Sequence, residues 1–271
     1  MEMPARFVWR LFHPAPQNSS SANQVNFKAS DWEVREVRDN AYIRVLLRQT
    51  LKPDSNCVDI GAHAGDFLDR FLEFAPHGKH LAFEPIPAMA DNLKIKYPSL
   101  EVHCCALSDA TGETTFQFVP EMPAWSGLRA QPYPGETQPQ QIPVKIQRLD
   151  DIIPAELPVS FIKIDVEGAE LEVLRGASEV LQNNKPIVLF ECGKIHHLHY
   201  ATTPKKVYDF LDSVGMGVHL LDQEGPLSLQ TFEEVYERSF ASGYDRNAHG
   251  NYLAVPKIQT RNQPTNKYGK S

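Results

Sequence analysis

Acidic side chains stand at or near the ends of five short apolar runs in this sequence. Asp59, Glu84 and Asp109 follow the first three runs, and Asp165 and Glu191 follow the next two. Apolar runs that alternate with helical patterns predict a parallel sheet covered on both faces, with all carboxyl ends of its strands at one edge. Five carboxylates on one edge would form a strongly negative cleft, which suits a cationic ligand or a metal.

The sharpest local motif is VDIGAHAG at residues 58–65. Gly61 and Gly65 would let a ligand approach the backbone closely, and N–H groups at a helix start can hold an anion. Glu84 ends the second strand, where a carboxylate suits both hydroxyls of an adenosine ribose. Because His63 interrupts the G-x-G-x-x-G spacing, the motif favours a nucleoside over a dinucleotide with its pyrophosphate.

Two further pairs of polar residues lie near the predicted strand ends. Ser108 and Asp109 form a short pair at the tip of the third strand, where they would meet the exocyclic amine of an adenine. Glu167 and Glu170 begin the helix after the fourth strand. We interpret this second pair as charges favoured by the helix dipole rather than as catalytic groups.

Three histidines lie in the run His196-His197-Leu198-His199. No second cluster completes a metal site with them, so we interpret the run as a surface loop. The alternative hypothesis is that one of these histidines acts as a base or contacts the substrate.

The elements that must position these residues follow from the hydrophobic pattern. The predicted strands span residues 57–62, 80–85, 100–108, 161–165, 186–192, 218–222 and 251–256. The predicted helices span residues 31–51, 65–75, 87–97, 169–182 and 204–214. In the first helix an apolar face is predicted from Val34, Val37, Ala41, Val45 and Leu46.

The chain divides into three parts. Residues 1–54 form an N-terminal extension with one helix, residues 55–256 form the α/β domain, and residues 257–271 form a polar tail. Within the domain, residues 113–148 contain alternating segments at both ends and six prolines between them. Since proline excludes a long helix or a central strand, we expect a loop and β excursion at the carboxyl edge of the sheet.

Composition excludes several classes of protein. Of the 271 residues, 42% are hydrophobic and 23% are charged, which is ordinary for a globular protein. A net charge of −7 disfavours a broad basic face for nucleic acid, and no apolar window is long enough for a membrane span or a signal peptide. The four cysteines match no zinc spacing, and we interpret them as buried thiols of a cytoplasmic protein.

Several runs together resemble the FkbM family of S-adenosylmethionine-dependent methyltransferases. They are VDIGAHAG, FEPIPAMADNL, ALSDATGETTF, LDDI, FIKIDVEGAELEVLRGA and IVLFE. The resemblance covers about residues 55–255, and IDVEGAE followed by LRGA is its most specific element. It implies an α/β fold, the doubly wound, Rossmann-like class I methyltransferase fold with a seven-stranded sheet. NYLAVP at residues 251–256 looks like the last, antiparallel strand.

The resemblance also implies the cofactor, S-adenosyl-L-methionine, and the residues that bind it. Carried over by position, these are Asp59, Ile60, Gly61, Ala62, His63, Gly65, Glu84, Ser108, Asp109 and Asp165. The first six would surround the methionine part, Glu84 would bind the ribose, and Ser108 and Asp109 would meet the adenine. Asp165 would lie beside the transferred methyl group. His63 departs from the asparagine that is common in the family.

The implied reaction is O-methylation of a hydroxyl on a small molecule, sugar, lipid or natural product. An aliphatic hydroxyl has a pKa far above neutral, so a general base is needed near the methyl group. The candidates are Asp165, Glu191 and His196. A divalent metal held by Asp165 and Glu191 is an alternative device, but the sequence supplies no complete set of metal ligands.

Other interpretations remain open at this point. A carboxylate acceptor would need neither a base nor a metal. A scaffold or interaction protein could keep the fold and the cofactor without turnover, and a nucleotide-dependent oxidoreductase is disfavoured by the glycine spacing. A nucleic-acid methyltransferase is disfavoured by the net charge, and no sequence pattern indicates an oligomeric state.

Overall fold

The structure is a computed structural model that describes residues 29–133, 135–239 and 248–257. The expectations for residues 1–28 and for the tail beyond residue 257 lie outside the described residues. No helix among the described residues combines the length and apolar character that a membrane span requires.

The strands are β1 (Asn56–Ile60), β2 (Leu81–Phe83), β3 (Glu101–His103), β4 (Ala106–Leu107), β5 (Gly112–Phe118), β6 (Gln140–Gln147), β7 (Val159–Ile164), β8 (Ile187–Glu191), β9 (Met216–Leu220) and β10 (Asn251–Pro256). The helices are α1 (Ala29–Thr50), α2 (Asp66–Phe74), α3 (Pro87–Lys96), α4 (Glu170–Arg175), α5 (Ser178–Asn184), α6 (Lys194–His197), α7 (Pro204–Ser213) and α8 (Leu229–Arg238). Two short 3₁₀ turns cover Pro123–Trp125 and Leu149–Asp151.

The main sheet has seven strands in the order β3-β2-β1-β7-β8-β10-β9. Strands β1, β2, β3, β7 and β8 pair in parallel, while β10 pairs antiparallel with both β8 and β9. This is the strand order of the class I methyltransferase fold. The predicted doubly wound α/β fold is therefore confirmed, including an antiparallel last strand at residues 251–256.

Alternate residues of the central strands enter two cores. Val58 and Ile60 of β1 pack into one cluster with Phe83, while Cys57 packs into the other with Phe161. Because successive side chains of a strand point to opposite faces, both faces of the sheet must be covered. Three cysteines are buried free thiols, as predicted, and Cys104 is half-buried.

The third predicted strand was wrong as a single element. The chain leaves the main sheet after His103, and Ala106 and Leu107 instead pair in parallel with β6. β6 also pairs antiparallel with β5, so the excursion forms a second, three-stranded sheet in the order β4-β6-β5. The tip of the third main-sheet strand is therefore not Ser108.

The predicted helix 169–182 is divided into α4 and α5 at Gly176. A Cβ at Gly176 would lie 2.0 Å from the carbonyl oxygen of Ser108. The glycine thus allows close contact between the end of α4 and the segment that follows β4, and this contact explains the division.

Helix α1 buries a different face from the predicted one. Val34, Val37 and Val45 are 49%, 67% and 49% exposed. Of the predicted face only Leu46 is buried, and the other buried positions include the apolar Ile43 and Leu47 and the polar Arg35 and Asp39. The pattern of apolar residues predicted the wrong buried face of α1, because two of the buried residues are charged.

Helix α8 was not predicted. Ser228 caps its start, where its hydroxyl accepts a hydrogen bond from the N–H of Thr231. Phe232 and Tyr236 are buried on its inner face, and Phe232 packs edge-on against Tyr252 of β10 at 5.0 Å between ring centroids. Thr203 caps α7, where its side chain accepts a hydrogen bond from the N–H of Lys206.

Candidate functional site

A cavity of about 720 Å³ opens at the carboxyl edge of the main sheet. This volume falls within the range of small-molecule and cofactor sites. Among the predicted site residues, those that line it are Asp59, Ile60, Gly61, Ala62, His63, Glu84, Asp165 and Glu191. Gly65, Ser108, Asp109 and His196 are not part of the lining.

The loop after β1 turns sharply at Gly61. Its φ of +76° lies in the left-handed region, and a Cβ there would come 1.9 Å from the carbonyl oxygen of Asp165. The N–H groups of Gly61 and Ala62 both donate to the carbonyl of Phe83 at 3.0 Å. The first glycine of the motif is therefore required by the close approach of β1 and β7.

Most N–H groups of this loop are already used within it. Besides Gly61 and Ala62, the N–H of His63 donates to the Glu84 carboxylate at 2.9 Å, and that of Gly65 donates to Ala62 at 2.8 Å. These donors precede α2, so the expectation that N–H groups at the start of that helix hold an anion stays a prediction. The N–H groups named above have hydrogen-bond partners within the protein, so the loop presents a fixed shape to the cavity.

Gly65 serves the packing of α2 rather than the cavity wall. Its φ is +87°, and a Cβ there would lie 2.6 Å from the ring of Tyr97. The Tyr97 hydroxyl donates to the Gly65 carbonyl at 2.9 Å and contacts the Asp69 carboxylate at 2.7 Å. The second glycine of the motif thus allows α3 to close against the start of α2.

Asp59 and Lys163 form a buried ion pair between adjacent strands. They are direct partners in the parallel register of β1 and β7, and Nζ of Lys163 lies 3.2 Å from the Asp59 carboxylate. The same Nζ donates to the Gly61 carbonyl at 2.7 Å. Burial lowers the pKa of Lys163, but the charges of Asp59 and Asp165 more than offset this and keep the ammonium protonated.

Glu84 is almost completely buried at the end of β2. One carboxylate oxygen accepts from the N–H of His63 and the other from the N–H of Ile86, both at 2.9 Å. Burial raises the pKa of Glu84 to about 7 against the opposing effect of these two hydrogen bonds. A carboxylate has about four acceptor positions, so two remain for a ligand in the cavity.

Ser108 and Asp109 do not reach the cavity. At this edge its wall is formed by Cys105, Ala106 and Leu107, while Ser108 is buried elsewhere and Asp109 is exposed. The contact of Ser108 and Asp109 with an adenine was expected because the third strand was predicted to run unbroken to Ser108. Both residues follow directly on Leu107, which lines the cavity, and their contact with an adenine stays a prediction.

Three side chains meet at the other end of the cavity, beyond β7 and β8. Nδ1 of His196 lies 3.4 Å from carboxylate oxygens of both Glu167 and Glu191. We name these three residues the Glu-Glu-His cluster. The sequence predicted His196 in a surface loop, but it lies on α6 and is buried, so that interpretation was wrong.

Glu167 was also misinterpreted as a helix-start charge. It precedes α4, lines the cavity and accepts a hydrogen bond from Nε2 of Gln131 at 2.8 Å. Its φ of +58° is an uncommon backbone conformation for a residue with a side chain. A charged residue with this backbone conformation indicates a functional position, and the hydrophobic pattern of the following helix does not reveal it.

The two carboxylates of the cluster repel each other in a poorly hydrated place. Burial, followed by the charge of Asp165, raises the pKa of both Glu167 and Glu191 well above the usual range. Burial lowers the pKa of His196, although the charges of Glu170 and Asp165 oppose this. The cluster therefore consists of a neutral imidazole beside two reluctantly ionised acids.

Glu170 holds the loop that carries Asp165 and Glu167. Its carboxylate accepts from the N–H of Gly168 at 3.0 Å and from that of Val166 at 3.3 Å. Its other oxygen lies 3.4 Å from Nε2 of the buried His197. The interpretation of Glu170 as a simple helix-start charge thus misses its structural role in shaping the site.

Other walls of the cavity come from outside the main sheet. Helix α1 contributes Arg35 and Asp39, both buried, and the turn after β5 contributes Pro123 and Ser126. An isolated bridge between Gln117 and Gly127 returns that turn to β5. Sequence reasoning missed Arg35 and Lys163, although a lysine inside the apolar run FIKID was a usable signal.

Residues 59–216, more than half of the chain, match the family model described as the methyltransferase FkbM domain. The chain belongs to the FkbM methyltransferase family. The match begins at Asp59 and covers the loop after β1, Glu84, the second sheet, the Glu-Glu-His cluster and Asp165. The resemblance stated from the sequence motifs is therefore confirmed.

Curated relatives cover parts of the FkbM domain. The chain is 30% identical over 149 residues to Methyltransferase 1 of Beauveria bassiana, an alignment covering 46% of this chain and 59% of that protein. It is 31% identical over 150 residues to the 2-O-methyltransferase NoeI of Sinorhizobium fredii, covering 49% and 62%. It is 24% identical over 195 residues to the hexuronic acid methyltransferase AglP of Haloferax volcanii, covering 70% and 74%. The chain spans about 60% of the length of the first of these relatives.

Proposed function

We propose that this FkbM-family protein transfers a methyl group from S-adenosyl-L-methionine to a hydroxyl of a small-molecule, sugar or lipid acceptor. The observation that carries the proposal is the arrangement of the cavity. It begins at Glu84 and the loop after β1 and continues, along one edge of the sheet, to Asp165, Glu167 and Glu191.

The residues at the first end fit the cofactor. Glu84 keeps acceptor positions for ribose hydroxyls, and Ala106 and Leu107 offer an apolar wall for the adenine. The carboxylate of Asp165, which is 46% exposed, suits a cationic methionine end. The acidic edge as a whole favours a positively charged ligand over the pyrophosphate of a dinucleotide.

When bound, the cofactor supplies an activated methyl group, so the chain needs only to orient the acceptor and accept its proton. The cavity has further walls from α1 and from the turn at Pro123, which would limit the access of water to the bound acceptor. Asp165, Glu191 and His196 remain the candidates for the general base. Asp165 and Glu191 line the cavity, and His196, which is outside the lining, lies 3.4 Å from Glu191.

The hydroxyl acceptor is favoured by the presence of these candidate bases and agrees with the relative NoeI, which is a 2-O-methyltransferase. A carboxylate acceptor remains the alternative, because it is already ionised at neutral pH and needs no base. The two alternatives differ in one measurable way. Substituting the base slows methylation of a hydroxyl but leaves methylation of a carboxylate nearly unchanged.

Calorimetric titration with S-adenosylmethionine and its demethylated product tests the cofactor. We expect binding by the wild-type protein and a loss of at least about tenfold in affinity in Glu84→Ala, which removes a ligand-facing carboxylate. Glu113→Ala, at an exposed position of β5, serves as the matched control and should bind like the wild type. Absence of binding, or equal loss in both variants, would contradict the proposal.

Turnover then separates an enzyme from a scaffold of the same fold. The protein is incubated with the cofactor and panels of hydroxylated and carboxylated sugars, and products are detected by mass spectrometry. We expect a methylated hydroxyl product whose formation slows in Asp165→Asn, Glu191→Gln or His196→Asn by about 10²–10⁴-fold for the variant that removes the base. Cofactor binding without any methylated product across the panels would favour the scaffold.

A further inference from the structure

The Glu-Glu-His cluster has the composition and spacing of a metal site. Each of Glu167, Glu191 and His196 offers one ligand atom, and these atoms all lie within 4.8 Å of one another. We propose that Glu167, Glu191 and His196 bind a divalent transition cation at the acceptor end of the cavity. The inference rests on the proposed function, since the cation would act on the acceptor hydroxyl.

The spacing distinguishes a metal site from a set of hydrogen bonds. Nδ1 of His196 is 3.4 Å from an oxygen of each glutamate. Hydrogen bonds between a ring N–H and an oxygen are about 2.7–3.2 Å long. Two ligands that each lie about 2.1 Å from a tetrahedral cation are separated by roughly 3.4 Å. The observed separations therefore match the edges of a coordination sphere better than direct hydrogen bonds.

The chemistry of the three ligands limits which metal ions can bind. Two carboxylates and one imidazole suit Mn²⁺, Fe²⁺ or Zn²⁺, whereas Mg²⁺ and Ca²⁺ prefer oxygen alone. Two ionised glutamates would balance the charge of a divalent ion. A neutral imidazole is the metal-binding form, and burial favours it by lowering the pKa of His196. With three protein ligands, positions stay open for an acceptor.

Neighbouring side chains hold two of the three proposed ligands in place. Gln131 Nε2 donates to Glu167 at 2.8 Å and to the carbonyl of Trp125 at 3.1 Å, which fixes the glutamate in place. The indole of Trp125 lies near the His196 ring, with 6.4 Å between ring centroids. Since outer partners orient metal ligands, this packing favours a built site over a chance meeting of charges.

Position in the cavity gives the cation a role. Glu167 and Glu191 both line the cavity, so a cation between them would face the bound acceptor. Its charge would lower the pKa of the acceptor hydroxyl. The acceptor oxygen would then form the C–O bond as the S–C bond breaks, with the electron pair of that bond going to sulfur. The hydroxyl proton would go to the carboxylate of Asp165, because Glu191 and His196 would be occupied as ligands.

This set differs from the metal site considered from the sequence, which paired Asp165 with Glu191. Asp165 is half exposed, and its carboxylate lies 3.6 Å from Nζ of Lys163. It is therefore already balanced by a cation of the chain. Glu167 and His196 take the place that the sequence hypothesis gave to Asp165.

Binding of Mn²⁺ alone, followed by electron paramagnetic resonance on protein first treated with a chelator, tests the site directly. We expect one bound Mn²⁺ per chain and a loss of affinity of about 10- to 100-fold in Glu167→Gln, Glu191→Gln and His196→Gln. Titration with Co²⁺ adds a visible spectrum that should change in His196→Gln, where a nitrogen ligand is removed. The control His199→Gln, exposed in the same segment, should keep the wild-type affinity, and Asp165→Asn, on the same edge, should lose less affinity than the three ligand variants.

The outcomes separate this inference from the proposed function. Each variant is also titrated with S-adenosylmethionine, which reports an intact fold through Glu84 at the far end of the cavity. Cofactor binding without Mn²⁺ or Co²⁺ binding overturns the metal site and leaves the methyltransferase proposal standing. Mn²⁺ binding that is lost in Asp165→Asn but kept in Glu167→Gln would also overturn the assignment. Metal binding as expected without cofactor binding would count against the proposed function alone.

Discussion

Two groups of acidic side chains lie along one edge of the sheet, and they differ in how their charges are balanced. At the tips of β1 and β2, Asp59 pairs with Lys163 at 3.2 Å, and Glu84 accepts two backbone N–H bonds at 2.9 Å. Beyond β7 and β8, Glu167 and Glu191 share His196 at 3.4 Å. Burial is considerable in both places, but only the first group has short contacts to a protonated partner or to backbone donors.

The difference in charge balance indicates different roles for the two regions. A carboxylate balanced within the protein keeps its place whether or not a ligand is present, which suits the fixed recognition of a cofactor. Carboxylates that repel each other store an unfavourable free energy, which an external cation can relieve. In the first region the carboxylate charges are thus balanced within the protein, whereas in the second region they would be balanced by a bound cation.

The largest expected effect concerns the point where the two regions meet, at Gly61. Gly61→Ala places a Cβ 1.9 Å from the carbonyl oxygen of Asp165 and also imposes a φ of +76° on alanine. We expect a loss in the free energy of unfolding above about 4 kcal/mol, measured by urea denaturation. Failure of the variant to fold would satisfy the same expectation.

Gly215→Ala separates the two causes. Gly215 has a φ of +80°, but a Cβ there meets nothing within 4 Å. It should therefore lose only about 1 kcal/mol, the cost of a left-handed conformation for alanine. Equal losses in Gly61→Ala and Gly215→Ala would show that the two regions are not held together by this contact.

The second prediction removes the internal balance of the first region. Lys163→Met leaves the completely buried Asp59 without its cation, and breaking a buried pair costs about 3–5 kcal/mol. The loss should shrink at acidic pH, because burial raises the pKa of Asp59 and the carboxyl can then take up a proton. Urea denaturation at several pH values measures both effects. Lys145→Met, at an exposed position of β6, should change stability little at any pH.

The third prediction asks whether backbone donors fully balance Glu84. Its pKa is about 7 in the folded protein against 4.5 as the ordinary value. A raised folded pKa means that stability is present below about pH 4.5 and is lost as pH rises through 7. The difference in unfolding free energy between wild type and Glu84→Gln should therefore move against the wild type by up to about 3 kcal/mol across this window.

Urea denaturation of both proteins from pH 5 to pH 8 measures this difference. Glu113→Gln, at an exposed position, should show a flat difference over the same window. A flat difference for Glu84→Gln as well would mean that its two hydrogen bonds compensate burial completely. The contrast between the two regions would then be greater than the structure indicates.

The sequence predicted the first region better than the second for a physical reason. Asp59, Gly61 and Glu84 follow directly on apolar runs, and a strand followed by a glycine turn is a local pattern. Their positions are determined by β1 and β2 alone. The seven-stranded sheet and its antiparallel last strand were implied by the resemblance to the FkbM family, since no local pattern determines which strands pair.

The second region depends on contacts between distant segments. His196 meets Glu167 only because α6 folds back over the loop after β7, and Gln131 arrives from the second sheet. No local periodicity contains that information, so His196 was placed in a surface loop. The break between Cys104 and Ala106 was missed similarly, because the pairing of Ala106 with β6 depends on a hairpin far along the chain.

The smallest expected effect is a gain in stability, whereas the substitutions at Gly61 and Lys163 should reduce stability. It tests whether the two regions differ in charge balance. Burial and the charges of Asp165 and Glu167 raise the pKa of Glu191, so its ionised form costs free energy at pH 8. Glu191→Gln should therefore raise the stability in chelator at pH 8, which is measured as a rise in melting temperature. The gain should vanish near pH 4, where the wild-type carboxyl is protonated. Added Mn²⁺ should reverse the order, because a cation that binds only the folded wild type stabilises it and not the variant. A loss of stability in chelator, as Lys163→Met should show, would mean that Glu191 is balanced within the protein after all.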